Sequence, residues 1–159
     1  MEDKGKPIFA MIKPSYFTDH FYLQEVLKKN SRLYLGLILE VNDNKCFIPL
    51  RSQINIQPKL RKAGFHLPTE NRPYAGLDYR KLLIINDESY VEVQKKVKIP
   101  NVQKEKIYNS IDLICLAVNR YINTYIKETL RERSEGHIHY KYSTLKNFHS
   151  ELNLPAISK

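Results

Sequence analysis

Residues 32–52 read RLYLGLILEVNDNKCFIPLRS, and this stretch decides the fold. Two apolar runs rich in branched residues suit a pleated, half-buried surface. They flank Asn42, Asp43 and Asn44, residue types that tolerate the left-handed backbone of a tight turn. The stretch therefore reads as an antiparallel hairpin. Upstream, the apolar run at residues 8–12 predicts a short strand. Residues 15–30 then place Phe17, Phe21, Leu23 and Leu27 at near-helical spacing, with Ser15 or Thr18 available as a cap. Downstream, residues 51–72 lose all periodicity and carry Pro58, Gly64 and Pro68, which predicts a long irregular loop. Residues 76–87, GLDYRKLLIIND, regain strand character and are expected to pair with residues 89–99. Beyond Pro100, Ile107, Ile111, Ile114, Val118, Ile122, Tyr125 and Ile126 recur at three- and four-residue steps, the signature of one long amphipathic helix. A short helix is expected within residues 143–153. Strands followed by helices make an α+β domain, with a compact, strongly curved sheet covered by the long helix.

The 159 residues suit a single domain over 1–159, large enough to bury a core without disulfides or metals. Lys and Arg number 26 against 17 Asp and Glu, a net charge of +9, and apolar usage of 42% excludes a disordered basic tail. Cys46 and Cys115 each sit in an apolar run without a ligand-spaced neighbour, so both read as small buried hydrophobes in a reducing compartment, the cytoplasm. The apolar run at residues 8–12 is too short for a secretory leader, and nothing approaches the length of a membrane span. His137 and His139, two apart in a polar segment, are a weak metal signal, and no metal or cofactor is expected. His20 and His149 flank apolar residues and read as structural. Eleven Tyr and six Phe supply faces that either pack or stack on bases, so polyanions lead as partners.

Three features then combine. Arg32, Tyr34 and Gly36 open the first hairpin strand, Pro49, Leu50, Arg51 and Ser52 close the second, and Gly76, Leu77 and Lys81 open the later apolar block. In this order the chain resembles, over residues 15–133, the ToxN/AbiQ family of endoribonuclease toxins from type III toxin–antitoxin systems, or a divergent branch of it such as the TenpN-like or CptN-like toxins. The family commonly has Thr-Ser followed two residues later by Lys, where this chain has Arg51, Ser52, Gln53 and Ile54. The resemblance implies an antiparallel SH3-like β-barrel of the Kid/MazF kind with added helices. It also implies metal-independent, sequence-specific cleavage of cellular or phage mRNA and of the antitoxin precursor, leaving 2′,3′-cyclic phosphate and 5′-hydroxyl ends. A repeated, pseudoknot-like antitoxin RNA would inhibit it in a protein–RNA hetero-oligomer, with a role in phage defence by abortive infection.

Metal-free cleavage by the 2′-hydroxyl needs a proton acceptor, a proton donor and cationic or neutral donors around the crowded phosphate. Arg51 is either a bidentate phosphate clamp or a solvated loop arginine; staying protonated, it cannot be a base. Ser52 offers a hydroxyl to the phosphate or caps a turn. His66 has the one side chain whose ordinary pKa suits either proton role, or is a surface histidine beside Pro68. Lys81 lines the cleft or points to solvent. Arg32, Tyr34, Lys59, Arg61, Lys62 and Arg80 are the candidate RNA contacts, Tyr34 by stacking unless it packs under the helix. Residues 95–106 hold five further Lys against one Glu. A non-catalytic RNA-binding module is the competing reading, and a DNA-binding regulator is disfavoured because no helix-turn-helix pair is legible.

Overall fold

In a computed structural model, residues 7–26, 34–54, 62–132, 137 and 139–157 are described. The hairpin forms as expected. β2 (Tyr34–Val41) and β3 (Asn44–Arg51) pair in register from Gly36↔Pro49 to Val41↔Asn44. Asn42 and Asp43 both take positive φ, 53° and 64°, the mirror-image turn whose twist matches that of the strands. Gly36 lies so close to β3 that a Cβ would overlap the Ile48 carbonyl. β1 (Ile8–Ile12) adds antiparallel to β2, from Ile8↔Ile38 to Ile12↔Tyr34.

Residues 76–87 do not form the single strand their apolar character suggests. β5 (Gly76–Asp78) pairs with the end of β3, and a 3-10 turn follows at Tyr79–Lys81. β6 (Leu83–Ile84) then pairs with β3 further back, at Phe47 and Cys46. One edge of β3 thus serves two short strands. β4 (Gly64–His66), which emerges from the region read as loop, pairs with β5. β7 (Val91–Gln94) pairs with β1 and not with the preceding strand, correcting the expected local hairpin. The sheet order is β4-β5-β3-β2-β1-β7, with β6 beside β3.

The architecture is therefore α+β, and the sheet is open: β4 and β7 end the path and are not hydrogen-bonded to each other. The expected SH3-like barrel of the Kid/MazF kind does not close. The gap is spanned instead by the first turns of α2 (Asn101–Leu130). On the β4 side, Gln103 Nε2 donates to the Leu67 carbonyl at 2.7 Å and Lys106 Nζ to the His66 carbonyl at 3.0 Å. On the β7 side, Lys104 and Tyr108 face Val93–Val97 across a groove.

α2 follows Pro100 and ends where Glu132 turns left-handed, φ 57°, donating its N–H to Thr129. It buries Ile107, Ile111, Ile114, Val118, Tyr121, Ile122 and Tyr125 in the core that also holds Leu37, Phe47, Ile48, Leu77 and Leu82, and Ile126 packs at the margin. Each fully buried aliphatic side chain contributes about 1.5–3 kcal/mol, so this stripe fixes the helix to the sheet. The expected N-terminal helix is only α1 (Pro14–Asp19), capped by neither Ser15 nor Thr18. It buries Tyr16, while Phe21 is exposed. The C-terminal helix is a 3-10 turn at Thr144–Asn147, capped by the Ser143 hydroxyl.

Candidate functional site

The site is built at the far end of β3, where Arg51 stands opposite Gly76. Antiparallel partners face the same side of a sheet, and so do residues two apart. Arg51 therefore shares a face with Gly76, Asp78 and, across β4, Gly64 and His66. Asp78 is wholly buried, and both its oxygens are occupied. Oδ1 accepts from the Arg80 backbone N–H at 3.1 Å and from Arg80 Nε at 3.0 Å. Oδ2 accepts from Arg51 Nη1 at 2.7 Å and from Arg80 Nη2 at 3.1 Å. Arg80 Nη2 also donates to the Ile54 carbonyl at 2.5 Å. With no access to solvent and no free lone pair toward it, Asp78 acts as the counter-ion that fixes two guanidinium groups, not as a base.

Arg51 commits one of its five donors to Asp78 and keeps 27% of its side chain exposed. It is the guanidinium best placed to meet an anion. Ser52 follows it at the surface. Lys81 is neither on a strand nor free. Its Nζ donates to the carbonyls of Glu25 at 2.8 Å and Tyr142 at 3.2 Å, with the Glu25 carboxylate at 3.6 Å. Burial lowers its pKa, opposed by the Glu25 and Asp78 charges and reinforced by Arg80 and Arg51. Lys81 thus straps two chain segments to the site, and three cations face two carboxylates there.

His66 is exposed and in the same row as Arg51, two strands away, so the two Cα atoms are about 10 Å apart. Gly76 lies between them, and the side chain of Ile54 covers it: a Cβ on Gly76 would lie 2.6 Å from Ile54 Cδ1. The two groups share a face without converging on one point. Lys62 is exposed, two residues before β4 begins. Arg32, Lys59, Arg61 and the side chain of Tyr34 lie outside the described residues.

Two groups carry more than the sequence suggests. Asp78, the centre of the site, is one, and no sequence signal singles it out. The other is the pair His137 and His139, whose rings are 5.3 Å apart, with His137 Nδ1 accepting from the His139 N–H at 3.2 Å. His139 Nδ1 is buried without a partner among the described residues, and burial, then the His137 and Lys62 charges, lowers its pKa. No group of three or more metal-ligating side chains occurs among the described residues. His149 is structural as expected: its Nδ1 donates to the Pro155 carbonyl at 2.7 Å, which leaves Nε2 to accept from the Tyr125 hydroxyl at 2.6 Å. His20 stacks on Tyr16 at 4.3 Å. Cys46 is buried and its thiol is pushed up to about 12 by burial, whereas Cys115 is only half-buried. No helix among the described residues is long and apolar enough to cross a membrane.

No protein-family model matches the chain, and no curated protein does. Among solved structures, one match comes from a bacterial type III toxin–antitoxin system in which a non-coding RNA pseudoknot selectively inhibits the toxin. It superposes with a TM-score of 0.54 at 16% identity, covering 73% of this chain and 77% of that one. The chain has a ToxN-like fold. The family resemblance seen in the hairpin and the later glycine-leucine block thus coincides with a likeness of the backbone over 73% of the chain. Within this ToxN-like fold, Arg51 and Asp78 sit where the two resembling blocks meet, since Pro49 to Ser52 ends β3 and Gly76 and Leu77 open β5.

Proposed function

We propose that this chain is the toxin of a type III toxin–antitoxin system, a metal-independent endoribonuclease held inactive by a folded antitoxin RNA. The Arg51–Asp78–Arg80 cluster carries the reading, because it holds guanidinium donors rigidly at the exposed end of the hairpin on a ToxN-like fold. Arg51 would place its uncommitted N–H groups on the scissile phosphate and stabilise charge as the 2′-oxygen attacks. The Ser52 hydroxyl would orient the same phosphate, and His66 would move a proton at the 2′-hydroxyl or the departing 5′-oxygen. Substrate would have to pass over Ile54 to meet Arg51 and His66 together. Lys81 is a positioning residue in this scheme. The products would carry 2′,3′-cyclic phosphate and 5′-hydroxyl ends, the substrates would be cellular or phage mRNA and the antitoxin precursor, and the biological role would be abortive infection within the cytoplasm.

A second reading, a non-catalytic RNA-binding module, is favoured by two observations: Ile54 separates Arg51 from His66, and the Lys81 ammonium is already bonded to two carbonyl oxygens beside the Glu25 carboxylate. Expression in bacteria without a cognate RNA separates the two. The nuclease reading expects growth arrest and RNA fragments that accept phosphate from a kinase at their 5′ ends. Ser52→Ala and His66→Ala should relieve the arrest while leaving RNA binding intact. Normal growth with intact RNA, from folded protein, would leave only the binding module.

A further inference from the structure

The β7 edge carries a groove of about 350 Å³ that the Arg51 site does not include. Ile8 and Val93 form its exposed apolar wall, from the paired strands β1 and β7. Lys95 and Lys96 continue from β7 along one side, and Lys104 and Tyr108 close the other from α2. Among the described residues no carboxylate lines it. Tyr108 is 45% exposed, and neither its side chain nor those of the three lysines make a hydrogen bond or ion pair among the described residues.

Lysines beside an edge strand are commonly guards against edge-to-edge pairing. That account explains Lys95 and Lys96. It does not explain why α2 contributes a lysine and an exposed aromatic ring to the same groove, since a helix has no edge to protect. Three cations without an ion-pair partner among the described residues, beside an apolar wall and an exposed ring, are instead the parts that hold a single nucleic-acid strand: ammonium groups on successive phosphates and a stacking face for a base. We infer that this groove is a second binding site for single-stranded RNA, distinct from the Arg51–Asp78–Arg80 cluster, with Tyr108 stacking on a base and Lys95, Lys96 and Lys104 on the backbone.

The two sites are neighbours across one helix. Gln103 and Lys106 on the first turns of α2 bond to the carbonyls that end β4, and Lys104 and Tyr108 on the same turns face β7. A strand held at Arg51 reaches the groove by crossing two strand spacings to His66, about 10 Å, and then a helix roughly 10 Å wide. The groove would therefore lengthen the recognised RNA without entering the reacting centre. It rests on the proposal that the chain acts on RNA.

The test uses the full chain with Arg51→Ala, so that no cleavage interferes, and a labelled unstructured RNA long enough to span both sites. Tyr108→Ala should weaken binding about tenfold, the usual worth of one stacked base. Lys95→Gln, Lys96→Gln and Lys104→Gln together should flatten the dependence of log affinity on log salt by about 2, or roughly 0.7 for each phosphate of a single strand that is no longer neutralised. Tyr108→Phe, which keeps the ring, should bind as the parent does and shows that weaker binding by the alanine variant is not misfolding. With Arg51 restored, cleavage of a short RNA that cannot reach the groove should be unchanged in all variants. Parent-like affinity in both the alanine and the triple variants overturns the inference, and so does competition by polyglutamate as strong as by RNA. The nuclease reading fails separately: a restored protein that cuts nothing, yet releases RNA with Tyr108→Ala, keeps the groove and removes the enzyme.

Discussion

Asp78 is the residue on which the candidate site depends, and nothing local in the sequence marks it. An acid between Leu77 and Tyr79 looks like the polar member of an alternating strand; the partner that gives it meaning, Arg51, is 27 positions away. Its removal would leave two guanidinium groups, 27% and 19% exposed, facing a dry pocket with no counter-charge. Asp78→Ala should lower unfolding stability by about 3 kcal/mol, in the range for breaking a largely buried ion pair, as read from urea midpoints. Arg51→Ala should cost less, because Arg80 still satisfies both Asp78 oxygens, yet should reduce RNA affinity and the salt slope. A larger stability loss for Arg51→Ala than for Asp78→Ala would contradict this ordering. His139 offers a pH test. Its proton affinity is depressed in the folded state from 6.5, first by burial and then by His137 and Lys62. The unfolded chain then binds more protons below that value, so folded stability falls as pH drops through about 6.5 toward the folded pKa. His139→Gln should remove this contribution, seen as a smaller difference between urea midpoints measured at pH 7.5 and at about 5.5. A His139 NMR titration midpoint at or above 6.5 would contradict the assignment.

At the scale of elements, what was legible was what periodicity controls. The hairpin and α2 are long, and their apolar spacing outweighs any single residue. Residues 76–87 misled because their apolar content is equally compatible with two short strands joined by a turn, and the break is set by the bonds from Arg80 to Asp78 and Ile54. Likewise β7 pairs with β1 and not with its sequence neighbour, a choice made by the sheet as a whole. Two substitutions probe these elements. Asp43 sits at φ 64° in the hairpin turn with no side-chain hydrogen bond among the described residues, a conformation that glycine adopts without the Cβ penalty. Asp43→Gly should stabilise the protein by about 0.5–1 kcal/mol, visible as a raised denaturation midpoint. Gly76→Ala should act in the opposite sense, since the added methyl meets the Phe65 carbonyl and Ile54 Cδ1. A loss of about 1–3 kcal/mol is expected from such overpacking, and because the methyl displaces Ile54 between Arg51 and His66, RNA binding should change with it. A wild-type midpoint for Gly76→Ala would mean that β4 and β5 are more loosely paired than their register indicates.

For the molecule as a whole, the resemblance led to a barrel, and the sheet lacks the closing hydrogen bonds. Its end strands are short: β4 has three residues and β7 four. A helix fills the gap, and the sequence hid this because Gln103 reads as one polar residue on an exposed first turn. It is buried, and its amide donates to the Leu67 carbonyl just beyond β4. This bond holds β4 to α2, and Leu67 in turn donates to the Ala75 carbonyl ahead of β5. Removing it leaves a carbonyl without its donor. Gln103→Ala should therefore destabilise the fold by about 1–3 kcal/mol, with the effect concentrated at the β4 end. In hydrogen exchange, the amides of Gly64–His66 and Leu67 should lose protection well before those of β2 and β3, which are anchored by the hairpin and the core. RNA binding at the β7 groove should survive, since Lys104 and Tyr108 remain on the same helix, while any activity that needs His66 held opposite Gly76 should fall. Uniform loss of protection across the whole sheet would show that α2 closes nothing locally and that the strands curve by their own pairing.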